Sequence, residues 1–285
     1  MARDIDPSLN RRRLRIELRK AREDAGLTQR EAADALEWSL SKLIRLEAGT
    51  VSLSVTDLRA LLQLYTVTDP ALVAELEEAA RGSKGPSWWA AYSDMVRPQF
   101  AQYLGYESAA TSIRFYHPSV VYSLLQIEDY TMAQLAPREA GERTRRSAEL
   151  RATRQERIFD GEHGPDVSIV LDEAVLRRVV GGPGVMRRQL EHLKTMSRHP
   201  RVNLCVLPFR AGAHYSMGGS FTLLGFTDGD DLLYLEGATG SVANRDDLAL
   251  TARYQECFED ISNKAYDGDR LVELIDAVKE SLDNG

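Results

Sequence analysis

Polar and cationic side chains at helical spacing between residues 27 and 49 are the part of the sequence best suited to binding chemistry. Ser41, Lys42 and Arg45 carry a hydroxyl, an ammonium and a guanidinium group, all of which donate hydrogen bonds. Leu43 and Leu46 recur three positions apart, so polar and apolar side chains fall on opposite sides of one helix. Donors on the outer face of a short helix suit the base edges of a DNA groove.

Start and stop signals of helices frame this segment. Gly26 follows a first helix predicted over about 8–25, because glycine accepts the left-handed conformation that ends a helix. Thr28 and Glu31 have the spacing of a capping box, which predicts the start of a second helix. Ser39 can cap a third helix after a tight corner. This layout predicts a helix-turn-helix; the alternative is a pair of ordinary packed helices in an α-helical bundle.

Residues 12–66 resemble the Cro/C1-type (xenobiotic-response-element) helix-turn-helix family. The resemblance rests on Leu-Thr-Gln-x-Glu-x-Ala at 27–33 and on Ser-x-Ser-x-Leu-x-Arg-x-Glu-x-Gly at 39–49. It implies that Gln29 contacts a phosphate and that Glu47 ties the recognition helix to its surroundings. It also implies that three side chains contact bases: Leu40, Ser41 and Arg45.

Two positions of this motif need separate expectations. Glu37 stands where the family commonly has glycine, so the corner is expected to keep a backbone conformation that glutamate tolerates. Leu40 is apolar, and a thymine methyl group is its expected target. Lys42 flanks the base-contacting positions and is counted among the predicted DNA contacts.

Charge divides the chain into two parts of opposite sign. The formal net charge is −7, yet residues 1–66 hold 12 Lys and Arg against 10 Asp and Glu, a net charge of +2. The remainder is net −9 and should repel DNA, which favours a specific regulator over a general coating protein. The first helix is rich in arginine, and Arg12 and Arg13 are predicted phosphate contacts. The alternative is a solvated charged helix face.

Strands and helices mix in the second part of the chain. A Gly-Ser-Lys-Gly-Pro stretch at 82–86 predicts a linker, which gives a helix-turn-helix domain over residues 1–82 and a second domain over 83–285. An alternating pattern predicts a strand at about 167–171, and short apolar stretches predict further strands at about 113–117, 203–208, 221–226 and 232–236. The predicted fold is multidomain: an all-α helix-turn-helix N-terminal domain plus an α+β C-terminal domain with a small sheet flanked by helices.

Residues 88–280 look like the uncharacterised regulatory domain of the WhiJ-like, antitoxin-like transcriptional regulators of actinobacteria. The matching landmarks include Trp88-Trp89, Tyr116-x-Pro118, Leu171-Asp172-Glu173-Ala174 and Val206-Leu207-Pro208-Phe209. The resemblance implies a regulator that pairs with a small acidic partner protein encoded nearby.

Four side chains of this region are candidate contacts for a ligand or a partner: Trp88, Trp89, Arg210 and His214. Arg210 and His214 share a loop between two predicted strands, and binding residues gather on such loops. The alternative is a plain connecting loop with an exposed histidine. The two tryptophans can instead pack internally.

Little in the sequence predicts catalysis. Asp172 and Glu173 could form a carboxylate pair, but helix capping explains Asp172. The glycine-rich stretch at 181–184 precedes a helix but lacks the lysine of a phosphate-binding loop. Cys205 and Cys257 lie far apart, outside any metal-ligand spacing. We therefore predict no enzyme, no catalytic residue, no metal and no cofactor.

The sequence predicts a cytoplasmic DNA-binding regulator. No apolar run approaches the roughly 20 residues of a membrane span, and the N-terminus lacks the apolar core of a signal peptide. The expected partners are double-stranded DNA, a second copy of the chain in a homodimer, and a small acidic protein. Two alternatives stay open: an antitoxin-like protein that sequesters a partner and binds DNA for autoregulation, and a regulator gated by a small molecule. The operator and the sign of regulation are not predicted.

Overall fold

A computed structural model describes residues 7–47, 53–137, 141–159, 164–226, 230–237, 240–244 and 247–282. The chain divides into two units, one of residues 1–93 with 104–109 and the other of residues 94–103 with 110–285. The predicted domain boundary between residues 82 and 83 stays a prediction.

The helices of the first unit pack around a core that is rich in leucine. They are α1 (Pro7–Asp24), α2 (Gln29–Ala35), α3 (Leu40–Glu47), α4 (Val55–Leu64) and α5 (Pro70–Gly82), followed by a 3₁₀ helix (Trp88–Tyr92). Leu18, Leu43, Leu58 and Leu76 come from four different helices and are almost fully buried. Burial of these apolar side chains holds the short helices together, because helices of seven or eight residues are not stable alone.

The second unit is built on one mixed sheet with helices around it. Its strands are β1 (Ser112–His117), β2 (Asp166–Asp172), β3 (Val202–Leu207), β4 (Phe221–Gly225), β5 (Leu232–Gly237) and β6 (Gly240–Asn244). Its helices are α6 (Pro98–Ala109, whose last six residues belong to the first unit), α7 (Glu128–Leu135), α8 (Glu142–Phe159), α9 (Glu173–Arg177), α10 (Pro183–Met196), α11 (Leu248–Lys264) and α12 (Gly268–Ser281). The predicted fold class, all-α followed by α+β, is confirmed.

The sheet has the strand order β3-β2-β1-β4-β5-β6. Strands β1, β2 and β3 are parallel, whereas β4, β5 and β6 form an antiparallel meander that joins β1 through β4. In register, Ile113 of β1 pairs with Val167 on one side and with Leu224 on the other. Since the parallel strands end at one edge, the connection from β3 to β4 starts and finishes at that edge. This connection is residues 208–220, which contain the predicted loop.

Two sequence predictions differ from the observed elements. The sequence after the tryptophan pair predicts a helical stretch to about residue 112, but the chain has a 3₁₀ helix at Trp88–Tyr92 and α6 begins only at Pro98. Proline fixes the backbone of the first helical turn and separates the two segments. Strand β6 was not predicted, because Gly-Ser-Val-Ala-Asn lacks an alternating apolar pattern. The Thr-Asp-Gly-Asp stretch at 227–230 also predicts a hairpin turn, which lies mostly outside the described residues.

Within the described ranges, none of the helices combines the length and the apolar character that crossing a membrane requires.

Candidate nucleic-acid interface

The start of α2 is fixed by a complete capping box. Thr28 Oγ1 accepts a hydrogen bond from the Glu31 N–H at 3.2 Å, and the Glu31 carboxylate accepts one from the Thr28 N–H at 2.8 Å. The Thr28 hydroxyl also donates to the Glu31 carboxylate, at 2.7 Å; the bond from the Thr28 N–H, and then this one, lower the pKa of Glu31 because both stabilise its ionised form. Gly26, just before, adopts φ +69°, the left-handed conformation that ends α1. Both capping predictions are confirmed.

The corner between α2 and α3 is tighter than expected. Glu37 has φ +54°, in the left-handed region that costs a residue with a Cβ atom about 1–2 kcal/mol. Two main-chain bonds close the end of α2: the Glu37 N–H donates to the Asp34 carbonyl, and the Trp38 N–H donates to the Ala33 carbonyl at 2.9 Å. The expectation of a well-tolerated glutamate conformation is therefore wrong, because closing α2 so close to the start of α3 requires a left-handed residue.

We expect Glu37→Gly to stabilise the first unit by about 0.5–1 kcal/mol, since glycine relieves the left-handed strain but loses more entropy on folding. The measurement is urea unfolding of the full chain, followed by circular dichroism. Glu37→Ala is the matched control, because alanine keeps the Cβ atom and the strain. Equal midpoints for the glycine and alanine variants would contradict a strained corner.

Helix α3 has a buried inner face and an exposed outer face. Ser39 Oγ accepts from the Lys42 N–H at 3.2 Å, as the predicted cap requires. Leu43 and Leu46 are buried, whereas Ser41 and Arg45 are exposed. Arg45 Nε donates to the Ser41 carbonyl at 3.2 Å, so the guanidinium lies along the outer face.

Two residues near the start of α3, Leu40 and Lys42, are less accessible than the sequence suggested. Leu40 is half-buried. The Lys42 ammonium donates to Asp57 Oδ1 of α4 at 2.8 Å and lies 3.6 Å from the centroid of the Trp38 ring. This cation is therefore engaged inside the unit. It fixes α3 against α4, and a DNA contact by Lys42 would compete with the Asp57 hydrogen bond.

A buried charge network anchors the end of α3. Glu47 accepts from Arg22 Nε at 2.7 Å and from Gln29 Nε2 at 2.8 Å. Arg22 also donates to the Leu27 carbonyl at 2.7 Å. Three helices thus meet at one carboxylate, as the expected structural role of Glu47 requires. Arg22, one of the cations of the arginine-rich first helix, is 8% exposed and serves as the counter-ion of Glu47, so it is not available to a phosphate.

Several other cations of α1 also have partners within the first unit. Arg11 donates to the carbonyls of Ser83 and Gly85, and Arg13 forms an exposed ion pair with Glu75 of α5. The side chain of Arg12 lies outside the described part of the structure. Part of the basic surface of α1 therefore binds other segments of the first unit.

Two known protein families match parts of this chain. Residues 13–76 match the family described as "Helix-turn-helix domain", which covers α2, α3 and the network around Glu47. Residues 100–277 match the family described as "Domain of unknown function (DUF5753)", which covers more than half of the chain. The chain belongs to the DUF5753 family. Neither a curated protein nor a solved structure matches it. The helix-turn-helix domain implies binding to double-stranded DNA.

The predicted contacts of the DUF5753 protein outside the helix-turn-helix lie in two places. Trp88 and Trp89 belong to the first unit, where both are half-buried and meet edge to face at 5.6 Å. Trp88 Nε1 donates to Ser108 Oγ at 3.0 Å, which favours internal packing. Arg210 and His214 belong to the second unit, in the connection from β3 to β4.

Arg210 and His214 make different contacts at the carboxyl edge of the parallel strands. The Arg210 guanidinium lies 4.8 Å from the Tyr266 ring, and the His214 ring meets Tyr116 edge to face at 5.6 Å. Among the described residues, His214 Nδ1 is buried without a hydrogen-bond partner. The structure brings both side chains to one edge but not into contact with each other.

The same connection exposes apolar side chains that sequence reasoning missed. Phe209 is 57% exposed, Tyr215 49% and Met217 66%. We call the connection at residues 208–220 the edge loop. In the sequence, only the Pro and Gly residues indicated a loop here. No local sequence pattern indicates whether an aromatic side chain in a loop is exposed or buried.

Acidic side chains beside the edge loop have structural partners. Asp172 caps α9 by accepting from the Ala174 N–H at 2.8 Å. Glu173 accepts from the Phe209 N–H at 2.8 Å and from Arg177 Nε at 2.7 Å. These bonds account for both carboxylates. In the glycine-rich stretch, Gly182 has φ +86° and is the N-cap residue of α10, which fits a turn that leads into the helix.

Proposed function

We propose that this DUF5753 protein is a sequence-specific transcriptional regulator that reads operator DNA with α3. The observation that carries the proposal is the outer face of α3, where Ser41 and Arg45 are exposed on a helix anchored through Glu47. A short recognition helix reads bases only when its orientation is fixed, and the buried network supplies that restraint. The resemblance to Cro/C1-type regulators supports the same assignment.

The proposal divides the predicted DNA contacts between base edges and phosphates. Arg45 pairs with a guanine through two hydrogen bonds, and Ser41 donates to a neighbouring base edge. Gln29 binds a phosphate at the start of α2, although its amide nitrogen is engaged with Glu47. The remaining predicted contacts are Leu40, Lys42, Arg12 and Arg13. Arg13 must exchange Glu75 for a phosphate, which costs little because exposed ion pairs are weak.

The regulator acts as a homodimer in this proposal. One α3 of eight residues reads too few base pairs to define a site in a genome. Two copies related by a two-fold axis place their recognition helices about 34 Å apart, one turn of B-DNA. The operator is then an inverted repeat with that spacing.

In vitro selection from random duplexes with the full chain tests the proposal. A double-stranded inverted repeat should emerge, and excess random duplex should not displace the protein from it. Recovery of unrelated duplexes after the final round, with affinities that differ less than tenfold, would contradict sequence-specific regulation.

For the second unit we propose binding of an acidic partner protein through the edge loop. Its Phe209, Tyr215 and Met217 expose apolar side chains, and the Arg253 guanidinium lies 4.4 Å from the Tyr215 ring. Apolar side chains beside arginine are typical of interface centres. The resemblance to antitoxin-like regulators supports a small acidic protein, and an antitoxin-like role remains the alternative to transcriptional control as the main activity.

Met217→Glu should abolish co-purification of the full chain with the small proteins encoded beside its gene, because it places a carboxylate in an apolar interface and opposite an acidic partner. Val179→Glu is the matched control, since Val179 is 46% exposed outside the edge loop. The comparison is made by tagged pull-down after co-expression. Co-purification that survives Met217→Glu, or that both variants lose alike, would contradict the edge loop as the binding surface.

A further inference from the structure

Ile44 is an exposed apolar residue on a helix whose other large apolar side chains are buried or half-buried. It is 43% exposed, whereas Leu43 and Leu46 on the same helix are 0% and 6% exposed. Because so much of its side chain stays in water, Ile44 adds little burial energy to the stability of the first unit. A single exposed isoleucine is common on protein surfaces, so its position on the helix decides its meaning.

Helical geometry places Ile44 on the proposed DNA-facing side of α3. Ile44 follows Ser41 by three positions and directly precedes Arg45, so it flanks the face that Ser41 and Arg45 share. The buried side of the helix carries Leu43 and Glu47 instead. An apolar side chain therefore borders the two hydrogen-bond donors.

We infer that Ile44 contacts a thymine methyl group and makes the protein selective for thymine next to the guanine read by Arg45. The inference rests on the proposed DNA-binding function. The thymine C5-methyl is the one apolar group in the major groove, and an isoleucine offers only apolar contact. Leu40, which the sequence assigned to this role, is half-buried and less available than Ile44.

Deoxyuridine substitution in the selected operator tests the inference, because uracil differs from thymine only by that methyl group. Binding of the full chain is measured by fluorescence anisotropy while each thymine is replaced in turn. We expect one thymine per half-site whose replacement weakens wild-type binding about fourfold, the value of one buried methyl contact. The Ile44→Ala variant should bind the thymine and uracil duplexes equally.

Leu40→Ala is the comparison variant: because Leu40 is itself a proposed DNA contact, this change should weaken binding to the thymine and uracil duplexes alike and keep the fourfold preference for thymine. The thermal midpoint of Ile44→Ala should equal that of the wild type, since the side chain is exposed. Uracil tolerance at every thymine in the wild type would overturn the inference while leaving the proposed function intact. Loss of the preference in Leu40→Ala but not in Ile44→Ala would also overturn it. Failure to select any operator would overturn both proposals.

Discussion

Arg45→Ala should weaken operator binding by roughly 1–3 kcal/mol, or about 5- to 150-fold, and relax the preference at one base pair per half-site. The guanidinium lies on the outer face of α3, where its Nε already contacts the Ser41 carbonyl and is held in a defined direction. Removing the side chain removes the two hydrogen bonds to the guanine, whereas the contacts with phosphates remain. The measurement is anisotropy titration against the selected operator and against duplexes changed at one position.

Arg81→Ala is the control for the loss of one positive charge. Arg81 lies on α5 and pairs with Glu77 and Glu78, away from the recognition helix in sequence and on a different element. It should lower affinity slightly and for all duplexes alike, as a change in net charge does. Equal and sequence-independent losses for Arg45→Ala and Arg81→Ala would contradict base reading by Arg45.

Arg22→Ala should destabilise the first unit by roughly 3–5 kcal/mol, because it leaves the Glu47 carboxylate buried without its counter-ion. Glu47 is 6% exposed and would keep only the hydrogen bond from Gln29. Since Glu47 ends α3, operator binding should fall with stability. Urea unfolding of the full chain measures the change.

Arg13→Ala is the matched control for this prediction, because it breaks an ion pair of the same helix in a solvent-exposed place. Its cost should stay below about 1 kcal/mol. Glu47→Gln should also destabilise the unit by more than Arg13→Ala, because an amide offers one acceptor oxygen to two donors and leaves the Arg22 charge buried without a counter-ion. If Arg22→Ala were no more destabilising than Arg13→Ala, the buried network would not anchor the recognition helix.

Local signals in the sequence predicted much of the fold. The Thr28–Glu31 capping box, the Ser39 cap and the leucine spacing of α3 each depend on residues within one or two turns, and each is confirmed. Short apolar stretches likewise located β1 to β5. Because these features depend on residues that are close in sequence, the sequence alone was enough to predict them.

Contacts between residues distant in sequence could not be predicted in the same way. Arg22 looked like one more cation of a basic helix until its partner Glu47, 25 positions away, was seen beside it. Lys42 looked exposed on α3, but its partner Asp57 lies on the next helix. The left-handed Glu37 breaks a steric preference, and only the closure of α2 against α3 explains it. Exposure of Ile44 depends on the same tertiary packing.

Methylation interference on the selected operator tests the central claim, that α3 reads the major groove, most directly. Dimethyl sulfate methylates guanine N7 in the major groove and adenine N3 in the minor groove. For the wild-type chain, guanine methylation should block binding in two half-sites about one helical turn apart, and one guanine per half-site should lose its effect in Arg45→Ala. Interference at adenine N3 alone, or an unchanged guanine pattern in Arg45→Ala, would contradict the account.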